Sequence, residues 1–406
     1  MVLGLSPEGS TIAETRLSSS QTIEKRGYEW IAVVHPELHD AFRGSLPALL
    51  ADIPPGQSGA AVLVRRMEAP RWRVRWDGPA RSFVCSAATF LRLWNMEPHR
   101  SPEELTFALL NAIMNGRLKV DRLYVRQVPL LLPPRRVAPA PGAIALIMAH
   151  RGKLAHLRTA LQYIAKASIP NLIARIGLDV DEPGRYSSLC ARYPSIGFFQ
   201  TASSPVGPYV IRQLLANRSR APLMVFHDSD DISCYDRFTT LAAAMSSRSC
   251  DLMGCHELRI DEVQRSSMIV RFPLDVSAAL RSGPSHVLWH PSSIVRRQAF
   301  FRAGGFSTDR GFANDTQFLL RAFFKMRIRN LDGFYYIRRK HPNALTVAPS
   351  TCLELPLRVQ LNKTWNADFE AVRQGKLALA QSSLRAIPSS LDHTLIAMRP
   401  RGRRYA

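Results

Sequence analysis

The amino-acid sequence predicts an α/β fold with a central, mostly parallel sheet, and three observations lead to that prediction. From residue 143 onward, apolar strand-like runs alternate with segments of helical periodicity, an order typical of parallel strands joined by right-handed crossovers. The run at 143–149 is apolar throughout, as expected of a fully buried strand. The run at 223–226 leads into several carboxylates, and open α/β sheets bind ligands beyond the carboxyl ends of their strands.

A smaller α/β segment is predicted ahead of these alternating elements. Its predicted strands are 28–34 and 122–128, its predicted helices are 41–51 and 103–114, and 60–66 with 72–76 is expected to form a hairpin. The proline-rich stretch 130–142 that follows is interpreted as a linker, because proline disfavours both helix interiors and central strands.

The alternating part of the chain contains both periodicities. Leu154, Leu157, Leu161 and Ile164 are spaced by three and four residues, which predicts an amphipathic helix. Further helices are predicted at 186–193, 210–217, 238–245 and 314–326, with another that ends at 304–305. The predicted strands are 143–149, 172–178, 196–199, 223–226, 252–260, 267–272, one within 286–297, and 333–337.

Composition divides the chain into five parts. Residues 1–20 are polar and rich in Ser and Thr, and we expect them to be disordered. Residues 21–132 form the N-terminal α/β appendage, and 133–142 form the proline-rich linker. Residues 143–350 are expected to be the main domain, and 351–406 a helical extension with a basic tail.

The whole chain limits the possible partners. Its 406 residues are enough for two domains, and its net charge of +22 favours anionic partners. No nucleic-acid-binding motif is present, so nucleic acid is not an expected partner. The six cysteines are scattered, no apolar run approaches the length of a membrane span, and the start does not have the pattern of a secretory signal. The expected location is the cytoplasm, with peripheral contact at an anionic inner membrane face.

The strongest chemical signal lies at the end of the run at 223–226. Asp228, Asp230 and Asp231 follow it and lie within the four-residue stretch 228–231. Carboxylates this close repel one another unless a cation neutralises them, and their oxygens suit Mn²⁺ or Mg²⁺. The alternative is that these residues turn the chain and cap the next helix, since Asp and Ser favour both roles.

Other candidates follow neighbouring predicted strands. Asp179 and Asp181 end the second strand, where a carboxylate can accept hydrogen bonds from a base or ribose, although a solvated turn is the alternative. His150 and Arg151 follow the first strand, and Arg151 could pair with phosphate, although an arginine on a loop is commonly just solvated.

Two further candidates lie late in the chain. Asp315 stands at the start of a predicted helix after a glycine-rich loop, where it could act as a general base or simply favour the helix dipole. His341 follows a strand and could add a nitrogen ligand to a metal, with Arg338 and Arg339 facing phosphate, or it could be a solvated loop residue.

A weak internal repeat is also present. With Phe107 placed over Phe318, Asp121 falls on Asp332, Tyr124 falls on Tyr335, and Glu103-Glu104 falls on Asn314-Asp315 without a gap. The appendage is therefore predicted to be a degenerate repeat of the second half of the main domain. In this prediction the appendage lacks the metal-binding carboxylates.

Five motifs in order resemble a family-2-type glycosyltransferase with the GT-A fold. They are 145–151, 178–181, 226–231, 303–306 with 314–315, and 335–346. The resemblance implies that Asp228 and Asp230 hold the metal and the diphosphate of a sugar nucleotide. It also implies that Asp179 and Asp181 contact the base, and that Asp315 is the general base. Asn314 stands where the family usually has Glu, and Gln317 where a second acid is common, so acceptor contacts are expected to differ.

The resemblance implies a metal-dependent, inverting transfer of a hexose or amino-hexose, with a UDP-sugar as the expected donor. The expected acceptor is a glycan or a lipid-linked glycan in bacterial surface-glycan synthesis. The main alternative is an inactive glycosyltransferase-like scaffold or glycan-binding protein. A sugar nucleotidyltransferase fits less well, because the loop at 150–153 has only one glycine.

Overall fold

The computed structural model describes residues 2–5, 12–15, 29–51, 57–96, 100–130, 142–167, 169, 171–202, 205–247, 249–390 and 393–398. Within these ranges the backbone forms a six-stranded and an eleven-stranded sheet. None of the helices in the described ranges is long and apolar enough to cross a membrane.

The six-stranded sheet belongs to the N-terminal part of the chain. Its strands are β1 (Val2–Leu5), β2 (Ile12–Thr15), β3 (Trp30–Val33), β4 (Gly59–Arg65), β6 (Ser82–Ser86) and β7 (Arg122–Val128), in the spatial order β2-β1-β3-β6-β4-β7. Its helices are α1 (His39–Ala51), α2 (Ala87–Met96) and α3 (Pro102–Met114). The short strand β5 (Arg75–Trp76) belongs to the other sheet.

The eleven-stranded sheet contains the rest. Its other strands are β8 (Ile144–His150), β9 (Leu172–Leu178), β10 (Gly197–Thr201), β11 (Leu223–Asp228), β12 (Ile232–Ser233), β13 (Leu252–Asp261), β14 (Ser266–Arg271), β15 (Ile294–Arg296), β16 (Ile328–Lys340) and β17 (Leu395–Ala397). The helices are α4 (Leu154–Lys166), α5 (Ser187–Arg192), α6 (Pro208–Arg218), α7 (Arg237–Ser247), α8 (Val276–Arg281), α9 (Arg297–Arg302), α10 (Asn314–Phe323) and α11 (Pro356–Arg373).

The central sheet is mostly parallel, as predicted. Strands β10, β9, β8 and β11 are parallel neighbours. Strand β15 runs antiparallel to both β11 and β13, and β16 is parallel to β13, so β13 and β16 run in the same direction as the first four. Every residue of β8 is buried, which explains its continuous apolar sequence. The carboxyl ends of β8, β11 and β16 therefore face the same edge of the sheet.

Two predictions about the N-terminal part are wrong. Strand β4 does not pair with 72–76 in a hairpin; it pairs with β6 and β7, while β5 pairs with β14. The reason is burial, because β6 presents Phe83, Val84 and Cys85 to the core, whereas Trp72 and Trp76 are exposed. Residues 1–20 are not wholly disordered, since β1 extends the free edge of β3 and pairs with β2.

The late part of the chain differs from the prediction in its boundaries. Strand β16 runs from Ile328 to Lys340 rather than over 333–337, because it pairs along its length with the long strand β13. The extension after 350 contains α11 but also β17, which pairs with β10 at the edge of the central sheet. The predicted linker 133–142 lies outside the described residues except for its last position.

The two sheets share one hydrophobic core. Ile31 and Leu123 from the first sheet are buried in the same cluster as Ile232, Leu258 and Phe334 from the second. The N-terminal part is therefore packed directly against β13, β16 and β12, and β12 follows the turn at residues 228–231, called here the Asp-rich turn.

The two parts also share a topology. Strands β3-β6-β4-β7 lie side by side with antiparallel, antiparallel and parallel pairings. Strands β11-β15-β13-β16 have the same spatial order, the same chain order and the same three pairing senses. Helices α1, α2 and α3 occupy the chain positions of α7, α9 and α10. This correspondence supports the half-repeat, whose origin by duplication stays a prediction.

A buried ion pair joins the two parts. Arg271 on β14 is 1% exposed and pairs with Asp77, which is 5% exposed. The same guanidinium donates to Gln127 and to the carbonyl oxygen of Arg65. The arginine therefore ties the turn after β5 and the ends of β4 and β7 to the central sheet.

We predict that Arg271→Met lowers the free energy of unfolding by about 1.5–3 kcal/mol, because the substitution removes the buried charged donor of Asp77 Oδ2 and leaves Asp77 with only the partly exposed Arg75. Urea denaturation followed by circular dichroism measures this change. The double variant Arg271→Met/Asp77→Leu should recover part of the loss. Arg329→Met is the control, since its partner Asp275 is 3.9 Å away and both side chains are about half exposed; a loss equal to that of Arg271→Met would contradict the prediction.

Candidate functional site

The Asp-rich end of β11 is the centre of the candidate site. Strand β11 lies between β8 and β15, and its apolar residues are buried. Asp228, Asp230 and Asp231 each place a carboxylate oxygen within 4.8 Å of the others, and no other described group of His, Cys, Asp and Glu is as close. The predicted convergence of these carboxylates is therefore present in the structure.

Each of the three carboxylates has a partner from another element. Asp228 pairs with Arg212 of α6. Asp230 Oδ2 lies 2.9 Å from Nε2 of His341, just after β16. Asp231 Oδ1 accepts a hydrogen bond of 2.7 Å from the backbone N–H of Arg339 on β16. The turn after β11 is therefore held between α6 and the end of β16.

The electrostatics of the turn are unfavourable for three negative charges. Burial raises the pKa of Asp228 to about 6, with Arg212 opposing the rise and the charge of Asp230 adding to it. Burial, with the charges of Asp230 and Asp228, also raises the pKa of Asp231 well above its ordinary value. Burial acts to raise the pKa of Asp230 too, but the hydrogen bond from His341 helps to bring it below the ordinary value. A hard divalent cation fits this oxygen donor set and would relieve the repulsion.

Asp315 lies at the start of α10, close to this turn. It follows Ala313, whose φ of 60° is in the left-handed region that few non-glycine residues adopt. Burial acts to raise the pKa of Asp315, but His286, His290 and a hydrogen bond with Tyr209 outweigh it, so the pKa lies below its ordinary value. The side chain is therefore ionised at neutral pH, as a general base requires.

Helix α6 connects Asp315 to the Asp-rich turn. Tyr209 and Asp315 lie close enough for each to shift the pKa of the other, and Arg212, three residues further on, pairs with Asp228. Residues three apart lie on the same helix face, and the Arg212 guanidinium carbon is 5.4 Å from the centre of the Tyr209 ring. One face of α6 therefore lies beside both carboxylates that the sequence assigns to different roles.

The two positions that depart from the family pattern hold the loop in front of α10. Asn314 is fully buried, and its side-chain N–H groups donate to the carbonyl oxygens of Ser307 and Arg310 at 2.8 and 2.9 Å. Gln317 is also fully buried and donates to the carbonyl oxygen of Ser383 at 2.7 Å. These amides therefore fix the glycine-rich loop and, through it, the position of Asp315.

The residues predicted to contact a nucleotide have different surroundings. Asp179 is buried, and its two oxygens accept hydrogen bonds of 2.9 Å from the backbone N–H groups of Val206 and Gly207. Arg151 Nη1 lies 3.9 Å from Asp179 Oδ2 and is largely exposed, and Asp181 is exposed. Asp179 thus shapes the start of α6, while a nucleotide contact for any of the three stays a prediction.

His150 contacts the Asp-rich turn through a side-chain hydrogen bond. Its Nδ1 lies 2.8 Å from the hydroxyl of Ser229, and its Nε2 lies 3.1 Å from the hydroxyl of Tyr186. Burial lowers the pKa of His150 to about 4, so the ring is neutral at pH 7. The ring therefore positions the residue between Asp228 and Asp230, and its predicted contact with a cofactor is untested.

The two arginines predicted to face phosphate have opposite environments. Arg338 stacks on Trp289 with its guanidinium carbon 3.7 Å from the ring centre, and its charge opposes the raised pKa of Asp228. Arg339 points to the other side of β16, where it is 2% exposed and bonds to Glu262 and to the carbonyl oxygens of Asp230 and Met114. The prediction for Arg339 is therefore wrong, because successive strand residues face opposite sides.

The sequence patterns do not single out Tyr209 and Arg212. Both lie in or next to the helix predicted at 210–217, and a charged residue on the buried side of that helix is the signal that could have identified Arg212. Its partner, Asp228, could not be inferred without the fold.

Known proteins similar to this chain were found among solved structures. Residues 1–349 of S. aureus TarS in complex with UDP-GlcNAc have a TM-score of 0.42 at 17% identity, over 50% of this chain and 60% of that one. The mannosyltransferase PcManGT from Pyrobaculum calidifontis in complex with GDP-Man and Mn²⁺ has a TM-score of 0.41 at 12% identity, over 60% of this chain and 68% of that one. No protein-family model and no curated protein matches the sequence.

We predict that Asp179→Ala and Asp181→Ala have different effects. Asp179→Ala removes a buried carboxylate that accepts two backbone hydrogen bonds and should lower the free energy of unfolding by about 1–3 kcal/mol. Asp181→Ala removes an exposed side chain and should leave stability within about 0.5 kcal/mol, while weakening nucleotide binding. Urea denaturation and calorimetric titration with UDP measure the two effects. Loss of stability in Asp181→Ala, with Asp179→Ala unaffected, would contradict the assignment.

Proposed function

We propose that this protein is a metal-dependent, inverting glycosyltransferase of the GT-A type that moves a hexose from a nucleotide sugar to a hydroxyl acceptor. One observation carries the proposal: α6 connects the carboxylate cluster after β11 with the ionised Asp315. Such a transfer needs a divalent cation and a general base. We propose that both lie at one edge of the parallel sheet.

Asp228 and Asp230 would hold Mn²⁺ or Mg²⁺, and His341 would be a further ligand beside Asp230. The bound ion supplies positive charge next to the departing diphosphate. Asp231 has a different role, because one of its oxygens accepts a hydrogen bond from the backbone of β16. We assign to it the positioning of the turn rather than direct ligation.

Asp315 would accept the proton of the attacking acceptor hydroxyl. The hydroxyl oxygen forms a bond to the anomeric carbon as the bond from that carbon to the diphosphate oxygen breaks, and attack from the opposite face inverts the anomeric centre. The backbone N–H of Thr316 donates to Asp315 Oδ1 at 3.0 Å, and the pKa of Asp315 lies below its ordinary value, so the base is ionised at neutral pH. Arg338, held against Trp289, lies close enough to Asp228 to contribute positive charge to the diphosphate.

A UDP-hexose is the proposed donor, and Asp181 with Arg151 the proposed contacts for its base and phosphates. Asp181 is exposed beside the carboxyl end of β9, which is next to β8 in the sheet. In open α/β sheets this edge is the position of nucleotide ligands.

One observation favours a second candidate, an inactive glycan-binding scaffold. Arg212 already neutralises Asp228 without a metal ion, so the turn is partly compensated in the absence of a cation. A scaffold of this kind would bind glycans but would neither require a divalent cation nor bind nucleotide sugars.

We predict that Asp230→Asn and Asp315→Asn separate metal binding from catalysis. Asp230→Asn should weaken Mn²⁺-dependent binding of the donor by at least about 100-fold, since even indirect supports of metal sites contribute 10–100-fold. Asp315→Asn should retain donor binding while transfer and donor hydrolysis fall by about 10²–10⁴-fold. Calorimetric titration and hydrolysis assays with UDP-, GDP- and dTDP-sugars measure the two effects.

Asp309→Asn is the matched control, because Asp309 is an acid of the same loop whose partner is Arg310. It should bind and hydrolyse the donor as the wild type does. If the protein binds none of the donors, with or without Mn²⁺, the transferase proposal is contradicted. The inactive glycan-binding scaffold would then be the favoured function.

A further inference from the structure

A short exposed segment of the N-terminal part alternates arginine and tryptophan. Residues 71–76 read Arg-Trp-Arg-Val-Arg-Trp. Trp72 is 43% exposed and Trp76 is 53% exposed, and the guanidinium carbon of Arg71 lies 4.7 Å from the centre of the Trp72 ring. Large aromatic side chains are usually buried, so two exposed rings between arginines indicate a surface that binds something.

This segment is held firmly against the central sheet. Trp76 and Arg75 pair with Val270 and Arg271 of β14. The backbone N–H of Asp77 donates to Ile269 at 3.0 Å, and the N–H of Ile269 donates to Gly78 at 2.9 Å. The ring of Trp76 is therefore presented by an ordered strand, so little conformational entropy is lost when a ligand binds to it.

A continuous series of side chains connects Trp76 to the proposed active site. The guanidinium carbon of Arg259 lies 4.4 Å from the centre of the Trp76 ring. Arg259 Nε donates to the buried carboxylate of Glu257 at 2.9 Å, and Arg338 Nη1 is 3.8 Å from the same carboxylate. Arg338 in turn lies 3.7 Å from the ring centre of Trp289. We call the surface formed by Arg71, Trp72, Arg73, Trp76, Arg259, Arg338 and Trp289 the arginine–tryptophan track.

The inner end of the track lies beside α10, the helix that carries the proposed base. The rings of Trp289 and His286 are 5.8 Å apart. The ring of His290, the residue after Trp289, lies 5.9 Å from the ring of Phe318 on α10, three residues after Asp315. A ligand that covers the track would therefore end near the helix that carries Asp315.

The chemistry of the track selects a ligand with both sugar rings and negative charges. Tryptophan rings stack on the apolar faces of sugar rings, and arginine guanidinium groups pair with carboxylate and phosphate. Along the track the positive charges of Arg71, Arg73, Arg259 and Arg338 are opposed by the carboxylate of Glu257. The excess of positive charge favours an anionic ligand.

We infer that the arginine–tryptophan track binds the acceptor, and that the acceptor is a polyanionic glycan. The inference rests on the proposed function for its final step, in which the bound glycan presents a hydroxyl to Asp315. The N-terminal part would thus supply the outer half of the acceptor site, with Trp72 and Trp76 as its aromatic contacts. A glycan chain fits better than a lipid surface, because the track leads inward to the catalytic carboxylate.

The test measures binding of a fluorescent galacturonic acid oligosaccharide, with neutral dextran as competitor and phosphatidylglycerol-containing vesicles in a parallel sedimentation assay. The wild type should bind the oligosaccharide and dextran should not displace it. Trp72→Ala/Trp76→Ala should weaken binding by about tenfold or more, as expected for tryptophan contacts at the centre of a binding surface. Arg259→Gln should weaken it and make the remaining binding less sensitive to salt.

Arg329→Gln is the matched control for charge. Arg329 lies nine residues before Arg338 on β16, about 30 Å away at ~3.3 Å per strand residue. Arg329→Gln removes one exposed arginine outside the track and should leave oligosaccharide binding at the wild-type value. Asp230→Asn should also retain oligosaccharide binding, because it alters only the donor side, so failure of the transferase proposal can be told apart from failure of this one.

Three results would overturn the inference. The first is wild-type protein that does not bind the oligosaccharide. The second is a Trp72→Ala/Trp76→Ala variant that binds it as tightly as the wild type. The third is protein that sediments with vesicles through Trp72 and Trp76 but ignores the oligosaccharide, which would make the track a membrane-binding surface.

Discussion

The repulsion among three carboxylates at the end of β11 is the constraint on which the rest of the site depends. A strand that ends in Asp228, Asp230 and Asp231 is stable only if other elements bring positive charge or hydrogen-bond donors to the turn. Arg212 comes from α6, His341 follows β16, and the backbone of Arg339 lies on β16 itself. The positions of α6 and β16 are therefore tied to the turn, and Asp315 lies close enough to Tyr209 of α6 for each to shift the pKa of the other.

Strand β16 is the element that joins the site to the N-terminal part. Arg338 stacks on Trp289, whereas Arg339 faces inward and bonds to the end of α3. The N-terminal part repeats the topology of the second half of the central domain, but its described residues contain no cluster of three carboxylates. At the position of Asn314-Asp315 it has Glu103-Glu104, and Glu104 forms a capping box with Ser101. The acid at this position of the N-terminal part therefore stabilises a helix start, and we propose that this part serves acceptor binding.

Local patterns in the sequence were enough to predict the central sheet and the positions of the main candidate residues. Strand β8 is apolar from Ile144 to Ala149, α4 has its leucines at helical spacing, and β11 leads into carboxylates. The patterns failed where pairing joins distant parts of the chain. Nothing near Trp76 shows that it pairs with Val270, and nothing near Asp228 shows that Arg212 reaches it. The prediction that Arg339 faces phosphate is wrong, because the direction of its side chain depends on which face of β16 is covered.

The most direct test of the account is the position of the metal ion. Crystals grown with Mn²⁺ and UDP, with diffraction data collected at the manganese absorption edge, would show the ion as an anomalous peak. We predict a peak at an ion coordinated by Asp228 and Asp230, with UDP phosphate oxygens completing its coordination. A structure in which UDP is bound without a peak at these carboxylates, or in which Arg212 still occupies Asp228 while the ion binds elsewhere, would contradict it.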